Sequence, residues 1–146
     1  MSAARIVLIE DNPADILLVE LALKEHGIPN ELTKFTSGRE AVSVLCDSQD
    51  SAGDTFLPDI ILLDLNTPKS DGFQVFLQLK QSPRLAQVPI VILTSSSADS
   101  DMHRSSLLGV QLIQKPSDVN AFFATIGQAV KDMLAGSEAR NGDRRQ

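Results

Sequence analysis

Five polar side chains stand where runs of branched apolar residues end. Glu10 and Asp11 follow Ile6-Val7-Leu8-Ile9, Asp64 follows Ile60-Ile61-Leu62-Leu63, Thr94 follows Ile90-Val91-Ile92-Leu93, and Lys115 follows Val110 to Gln114. Short apolar runs bounded by turn signals read as strands buried on both faces, the pattern of a parallel sheet. In open α/β sheets, ligands and reactions lie beyond the carboxyl ends of the strands. Three acids, a hydroxyl and an amine on one such rim make a chemical set. Crowded carboxylates raise one another's pKa unless a cation screens them, and oxygen-only donors suit Mg²⁺ better than a transition metal. A divalent ion at Asp11 and Asp64 would hold a phosphoryl oxygen and neutralise charge during an in-line transfer. Asp64 is then a credible nucleophile, forming an aspartyl-phosphate. Thr94 would donate to a second phosphoryl oxygen and Lys115 to a third. Singly, each residue has a plainer reading: a turn aspartate, its lysine partner, a strand-end threonine. Their joint placement favours the chemistry. Pro116 admits a cis bond after Lys115, which would aim the lysine.

The elements that must hold this set can be read in order. After a first strand, Arg5–Ile9, Asn12 is an N-cap with Pro13 at the first helical position and Asp15 in the first turn. That helix runs to His26 and is stopped by Gly27 and Pro29. Leu18, Val19, Ala22 and Leu23 form its inward stripe, and Leu17 and Leu21 point away from it. A short polar strand, Glu31–Thr36, precedes Ser37-Gly38-Arg39-Glu40, whose capping-box spacing opens a helix with Ala41, Val44 and Leu45 inward. A Ser/Asp/Gly-rich loop over Asp47 to Phe56 leads to the central strand. Pro68 and Gly72 break that strand, and Asp71 caps a helix through Phe76, Leu77 and Leu79. The fourth strand, Val88–Leu93, ends at Thr94 and three serines. A weak helix, Ala98–Leu108, is stopped by Gly109 before the fifth strand, Val110–Gln114. The last helix, Asp118–Leu134, is capped by Ser117 and turns Val119, Phe123, Ile126 and Val130 inward. Five strands alternating with five helices predict a doubly wound parallel α/β sheet of order 2-1-3-4-5. Residues 1–134 form the domain and residues 135–146 a frayed tail.

Composition bounds the function. A chain of 146 residues with 42% hydrophobic and 22% charged residues is an ordinary single globular domain. A net charge of -6 argues against a general affinity for nucleic acid or anionic lipid. No apolar run is long enough to span a membrane, and no signal peptide precedes the first strand, so the expected compartment is the cytoplasm. The single cysteine, Cys46, lies in an apolar helical pattern and reads as a packing residue; His26 and His103 are isolated.

Glu10-Asp11, the Ile-Leu-Leu-Asp64-Leu-Asn-Thr-Pro68 run with Asp71-Gly72, Ile-Leu-Thr94-Ser, and Lys115-Pro116 resemble the receiver domain of bacterial response regulators. The resemblance covers Arg5 to about Leu134. It implies a flavodoxin-like fold and phosphorylation of Asp64 by a sensor histidine kinase. It also implies that Asp11, Asp64 and the backbone carbonyl of Asn66 bind Mg²⁺, Glu10 contributing directly or through water, and that Thr94 and Lys115 sense the phosphoryl group. With no segment left for an output domain, the expectation is a stand-alone signalling domain and not an enzyme. The wording around Asp64 and the long loop before it are most similar to receivers paired with bacterial and cyanobacterial phytochromes. The onward route of the phosphate, to a histidine phosphotransfer protein or another downstream protein, stays open. In one respect the chain departs from the family. Three residues before the lysine, where Tyr or Phe is usual, stands Leu112, and the chain has no tyrosine.

Two contact surfaces are expected. Leu17 and Leu21, apolar and off the inward stripe, would dock the kinase. Leu112, Phe122, Ala129 and Met133 would form a face for a homodimer. Three other classes compete less well. An aspartate-based phosphatase wants a second acid two residues past the nucleophile, where Asn66 stands. A flavodoxin wants a Ser/Thr/Gly-rich phosphate loop in place of Glu10-Asp11-Asn12-Pro13. A non-phosphorylated interaction module would not need every acidic and hydroxyl position filled.

Overall fold

The computed structural model describes residues 3–47, 57–67, 70–95 and 99–144. Pro68, Ser96, Ser97 and nearly all of the loop expected before the central strand lie outside the described residues. In chain order the elements are β1 (Ala4–Ile9), α1 (Pro13–Glu25), β2 (Asn30–Phe35), α2 (Gly38–Asp47), β3 (Ile60–Asp64), β4 (Asn66–Thr67), β5 (Ser70–Asp71), α3 (Gly72–Gln81), β6 (Ile90–Thr94), α4 (Asp99–Leu108), β7 (Gln111–Gln114) and α5 (Val119–Arg144). The main sheet is parallel throughout, in the order β2-β1-β3-β6-β7, which is the expected 2-1-3-4-5 among its five strands. The hairpin β4-β5, antiparallel through Asn66↔Asp71 and Thr67↔Ser70, was not foreseen.

The three central strands are branched apolar residues on both faces because both faces are covered. Val7, Ile9, Ile61, Leu63 and Ile92 pack with Ala41 and Leu45 of α2 and Phe73, Phe76 and Leu79 of α3. Ile6, Leu8, Ile60, Leu62, Val91 and Leu93 pack with Val19, Ala22 and Leu23 of α1 and Phe122, Ile126 and Val130 of α5. Strand periodicity thus sorts alternate residues between two cores, each buried aliphatic side chain contributing roughly 1.5–3 kcal/mol.

The caps behave as their residue types dictate. The Asn12 side chain accepts from the amides of Ala14 at 2.8 Å and Asp15 at 3.4 Å. The Ser37 hydroxyl accepts from the Glu40 amide at 3.1 Å, and Asp71 Oδ1 from the Phe73 amide at 3.0 Å. At the far end of α1, Gly27 takes a φ of 63°, which a side chain would strain.

Several details differ from expectation. In α2 the inward stripe runs Ala41, Val42, Leu45 and Cys46, leaving Val44 48% exposed. In α5 the buried phase is Phe122, Ile126 and Val130; Phe123 is only partly buried and Val119, in the first turn at the rim, is exposed. α5 also continues past Leu134 to Arg144, through the stretch expected to fray. Leu18 is partly rather than fully buried. Among the described residues there is no cis peptide bond, so Lys115-Pro116 is trans.

The packing of α1 on α5 depends on a missing side chain. A Cβ at Gly127 would clash with the imidazole of His26, at the C-terminal cap of α1. A mid-helix Gly→Ala change normally gains up to ~1 kcal/mol. Gly127→Ala should instead destabilise the protein by roughly 1–3 kcal/mol through overpacking. In a His26→Ala background the same change should become stabilising. Urea unfolding of the four proteins measures this, and the expected result is a reversal of sign.

Candidate functional site

The carboxyl rim is knitted by hydrogen bonds that extend the sheet ladder by one residue past β1, β3 and β7. The Glu10 amide donates to Phe35 O at 2.9 Å, the Leu65 amide to Leu93 O at 2.7 Å, and the Lys115 amide to Thr94 O at 2.6 Å. In register, Asp64 lies opposite Leu93 and Thr94 opposite Gln114. Five parallel strands therefore end at one level, with Glu10, Asp11, Asp64, Thr94 and Lys115 just at or past the ends. Glu10, Asp64 and Thr94 are buried.

Glu10, Asp11 and Asp64 each bring one carboxylate oxygen within 4.8 Å of the others. Among the described residues, one ammonium pairs with two of them. Lys115 Nζ donates to Glu10 Oε1 at 2.7 Å and lies 3.3 Å from Asp64 Oδ1. It also donates to Asp15 Oδ2 at 2.8 Å. Burial pushes the Glu10 carboxyl up from 4.5 to about 7, against the hydrogen bond and charge of Lys115 and with the help of Asp64. For Lys115, burial works against the ammonium. Its hydrogen bonds to Asp15 and Glu10 and the charges of Asp64 and Glu10 outweigh that and hold it above the usual lysine range. The amine is a fixed cation. The donor set fits a small divalent ion: three oxygen ligands, an excess of negative charge, and no nitrogen or sulfur donor.

Asp15 was read from the sequence only as a first-turn acid. The signal for its second contact was available: Asn12 and Pro13 start the helix directly above Glu10, so the first turn must overhang the rim. Arg104 of α4 was also missed. It pairs with Asp71 Oδ2 at 3.0 Å and stacks on the Phe73 ring, 4.7 Å from its centroid. It thus ties α4 to the start of α3, just past the loop that follows Asp64.

Comparison with known proteins agrees with this geometry. The family profile of the response regulator receiver domain matches residues 6–127. The chain belongs to this family. Response regulator Rcp1 of Synechocystis sp. (strain PCC 6803) is 40% identical over 105 residues, covering 72% of this chain and 71% of that protein. A crystal structure of the Mn²⁺-bound form of response regulator Rcp1 superposes with a TM-score of 0.73 at 35% identity, covering 86% of this chain and 90% of that one. The phosphorylated cyanobacterial phytochrome response regulator RcpA gives a TM-score of 0.80 at 33% identity, over 92% of this chain and 96% of that one. The bacteriophytochrome response regulator AtBRR gives 0.69 at 36% identity, over 91% and 94%.

Within this receiver domain the remaining candidates fall as follows. Asn66 opens β4 two residues past Asp64 and is exposed. Leu17 and Leu21 are 54% and 40% exposed on α1, as expected of residues off the inward stripe. Of the proposed dimer face, Leu112, Ala129 and Met133 are partly buried. Phe122 is not on an open face at all: it is 2% exposed, seated beside Ile126 and Val130. The helix turns this phenylalanine inward and its neighbour Phe123 toward the surface.

Glu10 makes the stability of the metal-free receiver depend on pH. Between about pH 4.5 and about 7 the folded state keeps a proton on Glu10 that the unfolded chain has released. The folded state binds more protons there, so stability falls as pH rises through that window. Glu10→Gln should remove this part of the slope, read as the difference between wild-type and variant unfolding curves. A divalent ion added near neutral pH should expel the proton and acidify a weakly buffered solution.

Proposed function

We propose that this receiver is a phosphoacceptor in a two-component relay, taking a phosphoryl group from a sensor histidine kinase onto Asp64. The observation that carries the reading is the buried Asp64 carboxylate, within 4.8 Å of two further acids and 3.3 Å from a fixed ammonium. In the transfer, an Asp64 oxygen bonds to phosphorus as the P–N bond of the donor phosphohistidine breaks. The electron pair stays on the imidazole nitrogen, which is left to take up a proton. Thr94 and Lys115 hold the peripheral phosphoryl oxygens. Bound Mg²⁺ would supply charge neutralisation at the phosphoryl oxygens, and Glu10, Asp11, Asp64 and the Asn66 carbonyl would hold it. This is a signalling role, not turnover of a small substrate.

Likeness to RcpA and AtBRR, both described as phytochrome response regulators, supports a phytochrome-type kinase as the donor. Exposed Leu17 and Leu21 on α1 support docking beside the rim. The homodimer reading now rests on Leu112, Ala129 and Met133 without Phe122, together with Met102 and Leu107, 51% and 73% exposed on α4. No helix among the described residues is long and apolar enough to cross a membrane.

Asp64→Asn should abolish labelling by acetyl phosphate or by a kinase in the presence of Mg²⁺ while leaving the fold intact, as read by circular dichroism. Label persisting on that variant, labile to acid and base, would move the phosphoacceptor elsewhere. Leu17→Asp should slow transfer from a kinase and not from acetyl phosphate. Light scattering of wild type and Leu107→Asp reads the dimer: the wild type should show twice the mass of the variant at high concentration.

A further inference from the structure

Lys115 has three N–H donors, and two are committed away from the phosphoacceptor. They go to Glu10 Oε1 at 2.7 Å and Asp15 Oδ2 at 2.8 Å, while Asp64 Oδ1 lies farther off at 3.3 Å. The ammonium is 8% exposed and the Asp15 carboxylate 25% exposed, so Asp15 draws the lysine toward the mouth of the site. Asp15 is held there by construction, its amide bonded to Asn12 Oδ1 in a first turn that begins with Pro13. It stands apart from the triad of acids close enough to share an ion, which consists of Glu10, Asp11 and Asp64. Its partner at the site is the ammonium.

We propose that Asp15 is a positioning residue that holds the Lys115 ammonium back from Asp64, and so sets both how fast Asp64 accepts a phosphoryl group and how long it keeps it. The inference rests on Asp64 being the phosphoacceptor. Before transfer, an ammonium paired directly with Asp64 would occupy the lone pairs that must reach phosphorus. With Asp15 present, the lysine is shared and those oxygens stay nucleophilic. After transfer, Asp15 competes with the peripheral phosphoryl oxygens for the same cation. In hydrolysis a water oxygen bonds to phosphorus as the P–Oδ bond to Asp64 breaks. The electron pair returns to the carboxylate and a water proton leaves to solvent. In a loose transition state negative charge moves toward the leaving carboxylate. A cation fully engaged on the peripheral oxygens then favours the intact phosphoryl group, and Asp15 weakens that engagement.

Asp15→Asn removes the charge and keeps the shape. With the full-length protein, Mg²⁺ and acetyl phosphate, it should accept label more slowly and lose it more slowly. Each change should be roughly three- to tenfold, a fraction of the worth of a hydrogen bond to a charged group. Asp15→Glu, which keeps the charge, should restore both rates to near wild type. Because Asp15 acts through the lysine, Asp15→Asn should change neither rate further in a Lys115→Ala background. Should Lys115→Ala take no label, urea unfolding of the same four metal-free proteins reads the cycle, and coupling between positions 15 and 115 is expected. A half-life unchanged by Asp15→Asn would overturn the proposal. So would equal effects with and without Lys115, additive stabilities, or a glutamate variant that behaves like the asparagine. If the wild type takes no label, the phosphoacceptor reading itself fails; if the wild type labels and Asp15→Asn matches it, only the role of Asp15 fails.

Discussion

Like charges held together out of water are hard to keep, and the carboxyl rim of this receiver is arranged around that difficulty. Carboxylate oxygens within 4.8 Å of one another repel, when ionised, by roughly 3 kcal/mol per pair or more at an effective dielectric near 20. The whole stability of a domain this size is about 5–15 kcal/mol. Glu10, Asp11 and Asp64 cannot all be charged there without compensation. Two responses are visible: Lys115 pairs with Glu10 and Asp64 as a fixed cation, and burial drives the Glu10 carboxyl toward its neutral form. The site is poised to change its protonation and its ion content together.

Backbone geometry makes that crowding possible. The chain leaves β3 at Asp64 and returns across the strand end within eight residues to start α3 at Gly72. The Gly72 amide donates to Leu65 O at 2.7 Å, and a Cβ at Gly72 would lie 2.7 Å from Leu65 Cα. Only glycine allows α3 to begin so close to the acceptor strand. The same return places Asp71 to cap α3 with one carboxylate oxygen while the other meets Arg104 of α4. An exposed pair of this kind contributes little on its own, but Arg104 also covers the Phe73 ring. The loop after Asp64 and the helix after Thr94 therefore share a contact, in a chain that has Leu112 where the family usually has an aromatic.

Much of this was legible in the sequence because local and global signals agree. Unbroken apolar runs named the three central strands, and the acids, hydroxyl and amine at their ends named the rim. Asn12, Ser37 and Asp71 announced their helices by side chains that can accept from an exposed amide. What stayed hidden was decided by helix phase and by long-range approach. Phe122 and Phe123 are equally apolar neighbours, and only the seat of α5 on α1 turns one inward. Val44 and Cys46 flank the same stripe of α2, and contact with α3 selects the Cys46 side. α5 runs on past Leu134 because Gly136 and Gly142 each weaken a helix by only ~1 kcal/mol without ending it. Asp15 and Arg104 are ordinary surface charges by sequence; their partners lie 100 and 33 positions away and are brought near by the fold alone.

The first helix adds a further term to the balance at the rim. Glu10 and Asp11 immediately precede α1, whose unpaired amides carry partial positive charge. The Asn12 amide donates to Glu10 Oε2 at 3.3 Å, so the helix N-terminus faces the acids directly. Such an interaction is worth about 0.3–1 kcal/mol, up to ~2 when partly buried, which is less than the repulsion of one carboxylate pair. Lys115 offsets more, but it is shared among Glu10, Asp15 and Asp64 and its single charge faces four acids once Asp11 is counted. Helix and lysine together fall short of neutralising the rim. Phosphorylation turns the single charge of the Asp64 carboxylate into about two at neutral pH, and neither can absorb the increase. The arrangement of oxygens therefore calls for one more cation at the cluster of Glu10, Asp11 and Asp64, where among the described residues Lys115 is ion-paired with Glu10 and Asp64.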